Sequence, residues 1–77
     1  MEKFIGKKVV IKELFFGRAV RDGYPSVVNW GGVIREVSGH MICLYVQKFS
    51  DPPFSNNPPC IKRWFNTHAS TFIAIEE

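Results

Sequence analysis

Hydrophobic and polar residues alternate most regularly between Gly31 and Val46, in the stretch GGVIREVSGHMICLYV. Val33, Arg35 and Val37 interleave with Ile34 and Glu36, and Ile42, Leu44 and Val46 interleave with Met41, Cys43 and Tyr45. A period of two is the mark of a strand with two differently solvated faces. Between the two runs lies Ser38-Gly39-His40, where glycine supplies the positive φ that a tight hairpin turn demands. The pattern predicts a central β-hairpin with Ile42, Leu44 and Val46 toward the core. It does not by itself fix the directions of Arg35 and Tyr45.

The flanking segments read as further strands separated by punctuation. Lys7 to Leu14 carries Val9, Val10 and Ile11 between lysines, the composition of a strand with one wet face, and Gly6 before it suits a turn. Residues 15–30 hold Gly17, Gly23 and Pro25 without a helical period and read as a long loop, with Ser26 to Trp30 a candidate short strand inside it. The loop at 50–60 contains SDPPFSNNPP, whose paired prolines have no amide to give to a ladder. Ile61 to Phe65 and Thr71 to Glu76 again favour strands, joined by a turn at Asn66 to Ser70. No amphipathic helix of ordinary length is predicted.

Five or six short strands with long loops predict an all-β fold, a small antiparallel barrel, because closing a sheet removes the unpaired edges along which strands aggregate. On this pattern the stretch Ile5-Gly6-Lys7-Lys8-Val9-Val10-Ile11 resembles the first strand of Src-homology-3-like barrels of the KOW and Tudor kind. Gly32 to Val37 resembles their second strand and Met41 to Val46 the third. Trp64-Phe65 and Phe72 to Ile75 resemble the fourth and fifth. The resemblance implies a five- to six-stranded Src-homology-3-like barrel.

Length and composition bound the rest. The chain has 77 residues, 45% of them hydrophobic and 22% charged, which predicts one small folded domain over residues 1–77 and argues against disorder. The apolar run Met41 to Val46 is far too short to span a bilayer, and a cytoplasmic protein without membrane contact is expected. Cys43 and Cys60 are then expected as thiols, Cys43 as a small buried hydrophobe.

No catalytic motif is present. His40 falls at the hairpin tip and His68 in a polar turn, where solvation or backbone bonding accounts for both. The two cysteines and two histidines lack the short ligand spacings of zinc sites, so neither a metal nor another cofactor is expected, and nothing points to a small-molecule substrate. What stands out is the placement of cations beside rings under a net charge of +3. Lys62-Arg63-Trp64-Phe65, with Lys8 and Lys12 in the first strand and Arg18, Arg21 and Tyr24 in the first long loop, offers cations to phosphates and flat rings to unstacked bases. Trp64 and Phe65 must point to opposite faces of a strand, so one of them belongs to the core, and Trp30 competes between core and platform. The function expected is a non-enzymatic binding module, with nucleic acid, RNA or DNA, as ligand through Lys8, Lys12, Arg18, Arg21, Tyr24, Trp30, Lys62, Arg63 and Trp64. The alternative is a protein-protein interaction module, an accessory or inhibitor protein of the kind phages use to occlude a host surface, with the same aromatic residues as anchors.

Overall fold

In the computed structural model, residues 2–15, 26–50 and 60–77 are described. They form five strands after a short 3-10 turn at Glu2–Phe4: β1 (Lys8–Phe15), β2 (Ser26–Ser38), β3 (Met41–Ser50), β4 (Lys62–Asn66) and β5 (Phe72–Glu76). All pair antiparallel in one sheet of order β4-β3-β2-β1-β5, curled into a half-barrel. This is the small all-β barrel with long connections that the alternation predicts, and it fits the Src-homology-3-like pattern.

Curling requires local twist, and two irregularities of the central β2–β3 ladder supply it. Gly31 pairs with Lys48 and Gly32 with Val46, which leaves Gln47 outside the ladder. Ile34 pairs with Leu44 and Glu36 with Cys43, which leaves Arg35 outside. Each extra residue bends its strand and steepens the right-handed twist. The tip of the hairpin is as expected, with Gly39 at φ 59°. Gly6, at φ 84°, lets the backbone turn so that its amide donates to the Ile34 carbonyl at 2.7 Å.

Two expected loop boundaries are corrected. Of residues 15–30, Phe15 closes β1 and the candidate strand Ser26 to Trp30 is the first part of β2, in register with Phe15 to Ile11; of residues 50–60, Ser50 closes β3, paired with Asn29. The pair Gly31-Gly32 sits mid-strand in β2. The reason is steric. At Gly32 the β3 backbone passes so close that a Cβ would drive into the Tyr45 carbonyl, whereas at Gly31 a Cβ would meet the Lys48 Cβ at 3.5 Å and its carbonyl at 3.9 Å, both ordinary contacts. The remaining loop residues, and the Pro-rich segment at 51–59, lie outside the described residues.

The core lies on the concave side: Val9 and Ile11 from β1, Val28, Trp30 and Ile34 from β2, Ile42, Leu44 and Val46 from β3, and Phe65 from β4. Phe72 and Ile75 of β5 pack against it. These are the inward members of the alternations, as predicted for Ile42, Leu44 and Val46. Arg35 and Tyr45, whose directions the pattern left open, are both exposed.

The close approach at Gly32 makes a prediction. Gly32→Ala should lose about 3 kcal/mol through forced separation of β2 and β3, while Gly31→Ala stays within about 0.5 kcal/mol of the parent. Urea unfolding of the two variants checks this, and equal stabilities would refute the close-approach account.

Candidate nucleic-acid interface

Strand β4 carries the basic-aromatic segment, and its alternation sorts the residues between two faces. Phe65 is buried in the core, and Trp64, 41% exposed, points outward. Arg63 shares the inward side with Phe65, where its guanidinium donates to both carboxylate oxygens of Glu13 at 2.6 and 3.0 Å. Glu13 is the inward residue after Val9 and Ile11 on β1, a buried charge in an apolar row. Paired bidentately with an arginine, that charge is satisfied in the way a buried carboxylate requires. The Trp30 indole N–H donates to the same carboxylate at 3.3 Å, and the Arg63 guanidinium lies 4.6 Å from the Trp30 ring centre and 4.7 Å from that of Phe65.

Trp30 is therefore a core residue: 6% exposed, packed on Phe49 and edge-on to Phe65. Of the residues expected to bind, Trp30 and Arg63 are thus occupied with each other and with Glu13. Lys12 is held by Glu76 at 3.1 Å. Lys8 and Lys62 are exposed. Arg18, Arg21 and Tyr24 lie outside the described residues.

The convex face brings together a set that the sequence reading reached only in part. Cross-strand register aligns Lys8, Val33, Tyr45 and Lys62 in one row across β1, β2, β3 and β4. The next row holds Glu36, Cys43 and Trp64. On the other side lies a row of Val10, Gly31 and Lys48. Tyr45 is 43% exposed, and the guanidinium of Arg35 stands 5.5 Å from its ring centre. Residues opposite one another lie on the same face, and diagonal neighbours such as Tyr45 and Trp64 fall about 7–8 Å apart at Cα. The outer sheet is thus a continuous surface with two open rings among Lys8, Arg35, Lys48 and Lys62. Its acids are few: Glu36 beside Cys43, Glu76 held by Lys12, and Glu77 held by Lys7.

The direction of Tyr45, which the pattern left open, is settled by its pairing with Val33 and Lys62. Lys48 was not legible in the sequence, because the bulge at Gln47 breaks the period before it. Arg35 is itself the extra residue of the second bulge, so no period of two assigns its side.

The described cysteines are free, and Cys43 is fully buried. Burial pushes its thiol up, Glu36 pushes it further the same way, and Lys62 draws it partly back. A raised thiol stays protonated and weakly nucleophilic near neutral pH. His40 and His68 stack with ring centres 4.2 Å apart, and both the amide and the hydroxyl of Thr67 donate to the His40 carbonyl. The β4–β5 turn is thereby tied to the hairpin tip. Among the described residues, no three histidine, cysteine or acidic side chains gather where they could hold a metal ion, and no helix is long and apolar enough to cross a membrane.

Comparison with known protein families, with curated proteins and with solved structures finds no match to this chain. The functional reading rests on the surface itself.

The inward role of Arg63 separates it from its neighbour. Arg63→Ala leaves Glu13 buried without its cation and should cost about 2–3 kcal/mol in urea unfolding, whereas Lys62→Ala should change stability by less than about 0.5 kcal/mol. A similar cost for both would show that the Glu13 pair contributes nothing special.

Proposed function

We propose that the chain is a non-enzymatic binding module acting in the cytoplasm, and that it binds nucleic acid on the outer face of β1–β4. One observation carries the reading: Trp64 and Tyr45 stand exposed as diagonal neighbours, bordered by Lys62, Arg35, Lys8 and Lys48. Rings presented this way stack on bases whatever their identity, and the cations meet the phosphates between them. The net charge of +3 acts in the same direction. The resemblance to KOW and Tudor barrels supports the scaffold, and the site is argued from these residues.

A second reading draws on Ile61, which is 84% exposed beside Lys62 at the start of β4. A side chain this open would be an apolar anchor for a protein partner, as in an accessory or inhibitor protein of the kind phages use. The two readings differ in their response to salt.

A fluorescein-labelled oligonucleotide titrated with the protein should bind at 50 mM salt and lose about 20-fold in affinity at 200 mM, the slope for about three single-strand phosphate contacts. Trp64→Ala should weaken binding by about tenfold through one lost stacking partner, without moving the melting temperature by more than a few degrees. Absence of binding to either RNA or DNA at low salt would overturn the nucleic-acid reading and leave the protein-partner one.

A further inference from the structure

The β2–β3 bulge does more than bend the sheet. Gly31 lacks a side chain at the centre of its outward row, and Gln47 stands outside the ladder beside it. Together they leave a depression of about 230 Å³ in the sheet surface, lined by Lys8, Val10, Gly31, Gln47, Lys48 and Glu77 among others. Its floor includes backbone that a ligand can approach closely, because no Cβ shields it. Lys8 and Lys48 stand at its sides, and Glu77 is met by Lys7 at 3.2 Å, so the local balance stays positive.

Its place in the fold relates it to the two rings. Gly31 lies one outward row before Tyr45, and Tyr45 one outward row before Trp64. From β2 to β4 this diagonal covers about 16 Å at ordinary strand spacings, the reach of a few extended nucleotides. A double helix keeps its bases stacked inside and offers a convex sheet only its backbone, so it leaves both rings unused. A single strand uses all three points.

Resting on the nucleic-acid reading above, we infer that the Gly31–Gln47 depression seats one backbone phosphate of a single-stranded nucleic acid between Lys8 and Lys48, and that the bases beyond it stack on Tyr45 and then Trp64. The ligand is thereby single-stranded, and the site spans about three to four nucleotides. Sequence preference is weak, because stacking accepts any base and phosphate carries no sequence. The bulge fixes the register of the strand by giving its backbone one recessed place to sit.

The test uses oligothymidine and oligouridine of two, four and eight nucleotides and a 12-base-pair duplex, with fluorescence anisotropy for affinity and tryptophan quenching for stacking. The parent protein should bind the four-nucleotide strand at least tenfold more tightly than the two-nucleotide one, gain little more per site at eight, and prefer single strand to duplex by at least tenfold. Gly31→Val fills the seat and should weaken single-strand binding about tenfold while quenching of Trp64 persists at saturation. Lys48→Ala, at an exposed position, should weaken it about fivefold and decides the matter if the valine variant does not fold. Single-strand binding within twofold of the parent in these variants would overturn the seat and leave the nucleic-acid reading standing. Equal affinity for duplex would overturn the single-strand assignment. No binding to any of the oligonucleotides would overturn the proposed function and this inference together.

Discussion

The half-barrel depends on a pairing across its concave side. In a flat sheet of this strand order β1 and β4 would stand about 14 Å apart, with β2 and β3 between them. Yet Arg63 of β4 meets Glu13 of β1 through two hydrogen bonds, with the shorter at 2.6 Å. The sheet must curl to allow it, and the bulges at Gln47 and Arg35 are where it curls. Glu13 also receives the Trp30 indole, so one carboxylate ties three strands to a single geometry. A buried ion pair need not outweigh apolar packing in energy, but it is exacting in geometry, and half of it left alone is costly. That makes the pair a device for setting the position of β4.

What β4 presents outward follows from that position. With Arg63 and Phe65 turned in, Lys62 and Trp64 are turned out, and the β3 register sets Tyr45 beside them. The interior clasp and the exterior surface are two faces of the same alternation. Arg63, one of the cations expected to meet a ligand, serves the clasp, and the rings that stay open are Trp64 and Tyr45. The same two-sided logic applies at the first bulge, which bends the strand on the inside and opens a recess on the outside.

Much of the fold was legible in the residues. Alternation from Val33 to Val46 placed the hairpin and three of its core members, and Gly39 marked its turn. Opposite pointing of Trp64 and Phe65 followed from strand geometry alone. The rest depended on relations between distant strands. Glu13 shares the parity of Val9 and Ile11, and only its partner 50 positions away makes its burial tolerable. Gly32 is the place where two backbones pass closely, which only the pairing of β2 with β3 shows. Arg35 and Lys48 sit in or beyond a bulge, where a period of two no longer predicts direction. The candidate surface was half visible for that reason: Lys8, Lys62 and Trp64 could be named, but their assembly with Tyr45, Arg35 and Lys48 is a matter of register.

The central claim is that ligand meets the outer sheet while the clasped interior stays closed. The two indole N–H groups report on these sides separately, one held inside by Glu13 and the other on Trp64. In a proton–nitrogen correlation spectrum recorded during titration with a short single-stranded oligonucleotide, the Trp64 indole signal should move progressively with the amides of Gly31, Tyr45 and Lys48. The Trp30 indole signal should stay in place. Movement of the Trp30 signal with Trp64 unmoved would contradict the account.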